Sequence, residues 1–177
     1  MKYVALLRGI NVGGKSTVKM SELKEVFEIA GFTDVLIYIN SGNVIFDADQ
    51  KDIKKITSDI DSLLINSFFA IKTIVISYKD LKEVSNNTPN TWKTEDLRKY
   101  IAFVKSPTMP EDVIKEAKLN PDVDFIEKGK GVIYMSTKMS GLTKSGFPKL
   151  IQKKVYQDIT IRNYNTVQKL LNLIEQN

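Results

Sequence analysis

The apolar positions of residues 1–88 predict a β-α-β-β-α-β series followed by a short helix. Short apolar runs indicate strands, whereas apolar residues that recur at i, i+3, i+4 and i+7 indicate amphipathic helices. The predicted strands are Lys2–Arg8, Asp34–Asn40, Asn43–Asp47 and Lys72–Ser77. The predicted helices contain Leu23–Ala30, Ile53–Leu64 and Asp80–Asn86. A tight turn at Ser41 and Gly42 makes the second and third strands a hairpin.

The same order of elements returns in residues 97–177. The predicted strands there are Arg98–Lys105, Val123–Glu127, Gly131–Ser136 and Asp158–Arg162. The predicted helices are Glu111–Leu119, Phe147–Tyr156 and a last helix with Val167, Leu170, Leu171 and Ile174 on one face. The sequence therefore predicts an α+β fold of tandem ferredoxin-like βαββαβ units, or alpha-beta plaits, in residues 1–88 and 97–177 with a linker at 86–96.

Three of the predicted strands are apolar on both faces. Their two-faced segments are Tyr3–Leu7, Thr73–Ile76 and Tyr100–Val104. A ferredoxin-like sheet carries its helices on one face, so the opposite face of each sheet needs a further cover. Either the other repeat or a second subunit would supply it, and the second alternative predicts a homo-oligomer.

Two residue types are missing from the chain, which has no cysteine and no histidine. Their absence excludes thiol nucleophiles, disulfides, Cys/His zinc sites and histidine acid–base catalysis. We predict neither a metal nor a cofactor. No stretch reaches the ~18 apolar residues of a membrane span, and the first residues lack the apolar core of a signal peptide. We therefore expect a cytoplasmic protein that does not bind membranes.

The net charge of +5 comes from the second half of the chain. Residues 1–88 carry 11 basic and 11 acidic side chains, whereas residues 89–177 carry 15 and 10. The stretch Lys128–Gln157 contains seven lysines and no carboxylate, which predicts a locally positive field. This stretch is either a solvated lysine-rich face or a surface that contacts an anion or a nucleic acid.

Residues Gly9–Ser16 satisfy the phosphate-binding pattern G-x-x-x-x-G-K-[ST], with Lys15 as its lysine. In a true P-loop the backbone N–H groups hold phosphates, and a helix begins directly after the motif. Here the β-branched Thr17 and Val18 follow, and the next two strands form an antiparallel hairpin. The pattern therefore favours an ordinary connection between the first strand and the first helix over a nucleotide site.

Several segments resemble a bacterial family that is known only as a domain of unknown function. The matching segments are Leu6–Gly14, Lys19–Leu23, Tyr38–Phe46, Gly131–Tyr134, Thr143–Ser145 and Arg162–Leu170. The resemblance implies a pair of ferredoxin-like subdomains and no established activity. It also implies that Lys15 and Ser16 complete the P-loop pattern by accident. The chain departs from the family at Tyr164, where the family tends to carry Trp.

The matching segments place polar side chains at strand ends and turns. These residues are Arg8, Asn11, Asn40, Ser41, Asn43, Arg162, Asn163, Asn165 and Thr166. As structural residues they would form turns and helix caps. As functional residues they would form a shared anion pocket, with the arginines as charges and the amides as donors.

A second candidate site lies in the acid-free stretch. We predict weak polyanion binding centred on Lys144, Ser145, Lys149, Lys153 and Lys154. Lys149 and Lys153 would share one face of the predicted helix, where like charges repel unless an anion lies between them.

Three functions remain open from the sequence. The first is a non-catalytic module that binds a phosphorylated small molecule or a nucleic acid through a basic surface. The second is an enzyme that acts through carboxylates or a lysine, or a P-loop phosphotransferase that uses Gly9–Ser16. The third is a structural protein that acts through oligomeric contacts, and a thermal-shift screen against nucleotides, oligonucleotides and metals separates the three.

Overall fold

Two compact units make up the computed structural model, which describes residues 1–13, 16–93 and 96–176. The first unit is Met1–Leu81 together with the chain from Leu170 onward, and the second unit is Lys82–Lys169. The protein is a mixed α+β protein with one four-stranded antiparallel sheet in each unit. The repeat boundary predicted between residues 88 and 97 stays a prediction.

The sheet of the first unit has the order β2-β3-β1-β4. Its strands are β1 Lys2–Arg8, β2 Thr33–Tyr38, β3 Asn43–Asp47 and β4 Lys72–Ser77. Its helices are α1 Met20–Ile29 and α2 Ile53–Ser67, and α3 Tyr78–Asn86 follows the last strand. The predicted hairpin is confirmed, because β2 and β3 pair antiparallel with Tyr38 opposite Asn43.

The core of the first unit follows from the alternation of side chains along β1. Tyr3, Ala5 and Leu7 lie in one apolar cluster with Phe27 of α1 and Ile60 of α2. Because successive strand residues point to opposite faces, Val4 and Leu6 belong to the other face, and they are fully buried as well. The prediction that both faces of this strand are buried is thus confirmed.

The sheet of the second unit has the matching order β6-β7-β5-β8. Its strands are β5 Leu97–Val104, β6 Asp124–Lys128, β7 Val132–Lys138 and β8 Ile159–Asn163. Helix α4 spans Pro110–Glu116, and α5 spans Tyr164–Gln176. The apolar core of the second unit contains Ala102, Val113, Ile133 and Leu150. Helix α4 ends three residues before the predicted Leu119, because Ala117 is already extended.

The predicted helix Phe147–Tyr156 is wrong as an α-helix. The chain forms the 3₁₀ helices Phe147–Gln152 and Lys154–Asp158, and Lys153 between them is extended with φ −89° and ψ 146°. A further 3₁₀ helix, Met139–Lys144, precedes them. Phe147 and Leu150 are three residues apart, a spacing that fits a 3₁₀ helix as well as an α-helix.

Candidate functional site

A cleft of about 370 Å³ opens on one face of the second sheet. It is lined by Arg98, Tyr100, Met135, Thr137, Leu142, Ser145, Phe147, Pro148, Ile151, Tyr156 and Ile161. We call it the Arg98 cleft. Its floor follows from strand register: Tyr100 pairs with Met135, and Arg98 pairs with Thr137, so these four side chains share a face.

The lining of the Arg98 cleft combines an apolar body with one permanent positive charge. Arg98 is exposed, and its guanidinium carries five hydrogen-bond donors. Ile151 is 60% exposed although it is a large apolar side chain. Mostly apolar clefts of this size with a few polar groups are typical sites for small molecules.

A buried carboxylate lies beside the cleft. Asp124 is 4% exposed and accepts four hydrogen bonds. Its Oδ1 accepts from the hydroxyls of Thr137 at 2.8 Å and Ser145 at 2.6 Å. Its Oδ2 accepts from the backbone N–H groups of Asn120 at 3.0 Å and Gly146 at 2.7 Å. The carboxylate thereby ties β6, β7 and the segment before Phe147 together.

These hydrogen bonds decide the charge state of Asp124. Burial by itself raises the pKa of the Asp124 carboxyl. The hydrogen bonds from Ser145, from the backbone of Asn120 and Gly146, and from Thr137 outweigh burial and hold the pKa below its usual value. Asp124 is therefore ionised at neutral pH.

Gly146 lets two backbone segments meet beside this carboxylate. A Cβ atom built on Gly146 would lie 1.7 Å from the carbonyl oxygen of Lys118. No side chain fits in that space, so glycine is required for the close approach. The Gly146 N–H can then reach Asp124.

The predicted lysine site is only partly assembled. Lys144, Lys149 and Lys154 are exposed, whereas Lys153 forms an ion pair with Glu116 at 3.0 Å. Lys149 and Lys153 do not share an α-helical face, because Lys153 lies in the extended link between two 3₁₀ helices. Lys144 and Lys149 are the sequence neighbours of Ser145 and Pro148, which line the Arg98 cleft.

The polar residues of the first unit mainly hold two loops together. Asn11 Nδ2 donates to the carbonyl oxygens of Val18 and Asn40 at 3.0 Å each, and Asn11 Oδ1 accepts from the Val18 N–H at 2.8 Å. Asn43 is fully buried and donates to the Tyr38 carbonyl at 3.1 Å and to Ser41 at 3.3 Å. Arg8 ends β1 and is half-buried. The turn chemistry predicted for Asn11, Ser41 and Asn43 is thus present.

The P-loop pattern receives no support from the part of it that the structure describes. The Asn11 N–H donates to the Ser16 carbonyl at 2.8 Å, so it is used within the loop. Helix α1 begins at Met20, four residues after Ser16, and the sheet beside it is antiparallel. The predicted ligand residue Lys15 lies outside the described residues.

At the end of β8, one of the predicted polar residues caps a helix and another is buried. The Asn163 side chain accepts from the Asn165 N–H at 2.8 Å, which confirms Asn163 as an N-cap of α5. Arg162 is 8% exposed, and burial lowers its pKa to about 10. Its Nη1 donates to the Ile161 carbonyl at 3.0 Å. The anion pocket predicted for Arg8 and Arg162 stays a prediction.

A second cleft of about 370 Å³ contains Trp92, Phe125, Glu127, Tyr134 and Ser136. Trp92 donates from Nε1 to Ser136 at 3.1 Å, and the Tyr134 hydroxyl donates to the Val84 carbonyl at 2.7 Å. Burial, with smaller effects from Glu127 and Glu83, raises the pKa of Tyr134 to about 12. The polar groups of Trp92 and Tyr134 are therefore occupied within the protein.

Among residues 1–13, 16–93 and 96–176, no cluster of three or more carboxylate side chains has the arrangement of a metal site. No helix among the same residues has the length and apolarity needed to cross a membrane.

Asp124 and Arg98 are the residues that sequence reasoning missed. Asp124 reads as the polar start of an apolar run, and its partners are 13 and 21 residues away. Arg98 is one of many basic residues at strand ends. The register that pairs Arg98 with Thr137 could not be predicted, because Arg98 begins the predicted strand Arg98–Lys105 and Thr137 lies one residue beyond the predicted strand Gly131–Ser136.

Comparison with known proteins gives a family without an assigned activity. The pattern of the family described as "Protein of unknown function (DUF1697)" matches residues 1–134, and the chain belongs to this family. No curated protein matches the chain. Among solved structures, the conserved bacterial protein SP0830 from Streptococcus pneumoniae is similar, with a TM-score of 0.85 and 28% identity over 97% of each chain.

Proposed function

We propose that this member of the DUF1697 family is a non-catalytic binding module for a phosphorylated small molecule, which it takes into the Arg98 cleft. The observation that carries the proposal is the cleft itself, in which an exposed guanidinium borders an apolar lining of about 370 Å³ in volume. A phosphate would contact Arg98, and an aromatic or aliphatic body would lie against residues such as Phe147 and Met135.

The charge around the cleft supports a phosphate rather than a neutral ligand. Lys144 and Lys149 add exposed ammonium groups beside lining residues, and the stretch Lys128–Gln157 contains no carboxylate. Arg98 provides the bidentate geometry that suits phosphate oxygens, whereas the lysines act as point charges that raise the local concentration of an anion.

The experiment is calorimetric titration of the full chain with adenosine 5′-monophosphate, phenyl phosphate and inorganic phosphate. We expect Arg98→Ala to weaken binding of the two esters by about tenfold or more, because a charge-assisted hydrogen bond is worth roughly 1.5–3 kcal/mol. Lys169→Ala is the matched control, since Lys169 is an exposed cation of α5 outside the cleft. Absence of binding, or equal binding by wild type and Arg98→Ala, would overturn the proposal.

A nucleic acid is the second candidate ligand, and the exposed lysines Lys144, Lys149 and Lys154 favour it. Binding through backbone phosphates would fall steeply with salt, and each lost lysine contact would reduce the log–log salt slope by about one. Fluorescence anisotropy with short single- and double-stranded oligonucleotides measures this slope. An affinity that is insensitive to salt would exclude this mode of binding.

We also infer that each unit is a ferredoxin-like βαββαβ repeat. The support is the shared strand order, in which the first strand of each unit is central and pairs with the third and fourth. In the second repeat the second helix would be replaced by the 3₁₀ segments between β7 and β8. A homo-oligomer and a cytoplasmic location remain predictions from the sequence.

A further inference from the structure

Two hydroxyl groups of the Arg98 cleft, those of Thr137 and Ser145, have a fixed direction of hydrogen bonding. Asp124 is ionised and carries no proton, so the hydroxyl must be the donor in each of its contacts with Thr137 and Ser145. Each hydroxyl has one proton, and Asp124 uses both. What Thr137 and Ser145 can offer to a ligand is therefore a lone pair.

The two hydroxyls differ in how much of that accepting capacity is already used. The Ser145 oxygen accepts from the Phe147 N–H at 3.2 Å. The Thr137 and Ser145 oxygens are 3.3 Å apart, and because both hydroxyls donate to Asp124, neither donates to the other. Thr137 therefore has more unused accepting capacity, and the half-buried Ser145 is the more accessible of the two hydroxyls.

Arg98, on the neighbouring strand β5, offers hydrogen-bond donors instead of acceptors. Its Cα is the register partner of Thr137, and a guanidinium donates but never accepts. The cleft therefore presents donors at Arg98 and acceptors backed by a buried negative charge at Thr137 and Ser145. A ligand that satisfies both ends needs an anionic group and an N–H donor.

We propose that the ligand of the Arg98 cleft is a phosphorylated molecule that also carries an amino or ammonium group, bound with its phosphate on Arg98 and its N–H donor on Thr137 and Ser145. This inference rests on the proposed function, because it names the ligand class of the same cleft. A donor on Thr137 completes a chain that runs from the ligand N–H through the hydroxyl to the Asp124 carboxylate, and such chains strengthen their own members.

The test is a matched pair of nucleotides that differ by one amino group. Adenosine 5′-monophosphate carries an exocyclic amine, whereas purine riboside 5′-monophosphate lacks it and is otherwise the same. Titration of the full chain should give about tenfold tighter binding of the amino compound, the effect expected of one well-placed hydrogen bond. Thr137→Ser should keep this preference, and Thr137→Val should remove it.

The outcomes separate this inference from the proposed function. Equal affinity of the wild type for both nucleotides overturns the inference and leaves the cleft as a phosphate site. Binding of neither nucleotide overturns both proposals. Because Thr137→Val also removes a partner of Asp124, its fold is checked by circular dichroism, and Ser145→Ala is measured as a second variant. A preference that survives in folded Thr137→Val, or in folded Ser145→Ala where Thr137→Val does not fold, also contradicts the inference.

Discussion

At the scale of single residues, the buried carboxylate of Asp124 is the polar centre of the second unit. Four donors converge on it from β7, from the segment before Phe147 and from the turn before β6. A buried charge of this kind is tolerated because each of its oxygens is hydrogen-bonded. Its removal would leave donors without partners, and that cost exceeds the value of any single hydrogen bond.

Asp124→Asn should destabilise the protein at pH 7 and respond to pH in a defined direction. The pKa of Asp124 is lower in the folded than in the unfolded chain, where it is near 3.9. The stabilisation by the ionised form is therefore complete above about pH 3.9 and is lost as the pH falls through the folded pKa. We expect a loss of about 2–3 kcal/mol at pH 7 in urea denaturation, and a smaller difference from wild type in strong acid.

The matched control is Asp122→Asn, because Asp122 is an exposed carboxylate two residues away. It should change the free energy of unfolding by less than about 0.5 kcal/mol. A difference between wild type and Asp124→Asn that stays constant from pH 7 into strong acid would show that the carboxylate charge is irrelevant.

Gly146→Ala tests the close backbone approach beside Asp124. Its added methyl group would collide with the Lys118 carbonyl, so the loop must move and the Gly146 N–H must leave Asp124. We expect a loss of about 3 kcal/mol or more in denaturant unfolding. Gly131→Ala is the comparison, since Gly131 has φ +69° but open space around its Cβ, and it should cost about 1–2 kcal/mol. Equal losses would argue against the close approach.

At the scale of elements, Asn11 joins the loop after β1 to the β2–β3 turn. Its three side-chain hydrogen bonds reach Val18 on one side and Asn40 on the other. The β2–β3 turn is also sterically restricted. Ile39 has φ +54°, and a Cβ atom built on Gly42 would lie 2.7 Å from Ile10 Cδ1. A β-branched residue at positive φ is held in place by such contacts.

Asn11→Gly should therefore destabilise the first unit by about 1–3 kcal/mol. Glycine readily adopts the φ of +54° found at Asn11, so the loss of stability would come from the missing side chain and not from backbone strain. Asn40→Ala is the control, because Asn40 is bound to Asn11 through its backbone carbonyl. Thermal unfolding of both variants measures the difference, and an Asn40→Ala loss as large as that of Asn11→Gly would contradict this role.

The elements also show what the sequence could and could not predict. All eight predicted strands exist, within a few residues of their predicted bounds, because their apolar runs are short and bounded by turn residues. The α-helix predicted for residues 147–156 was wrong because an apolar spacing of three residues fits both an α-helix and a 3₁₀ helix. The site was harder still: the partners of Asp124 and the neighbours of Arg98 are set by strand register, which a pattern of apolar positions leaves undetermined.

At the scale of the whole molecule, the last helix, α5, contributes residues to both units. Helix α5 begins in the second unit at Tyr164, and from Leu170 onward the chain is part of the first unit. In that final part Leu170, Leu171 and Ile174 are buried, and the Glu175 carboxylate accepts from the Tyr78 hydroxyl at 2.7 Å. This part of α5 is thus packed within the first unit.

A chain truncated after Lys169 should for this reason lose stability in its first unit. Three buried aliphatic side chains contribute on the order of 5 kcal/mol together, which is comparable to the total stability of a small domain. Hydrogen exchange should show faster exchange in β1 and β4. The control chain ends at Glu175 and lacks just Gln176, which is exposed, and Asn177; it should exchange like the full chain. Unchanged protection of β1 and β4 in the shorter chain would mean that the first unit folds without the end of α5.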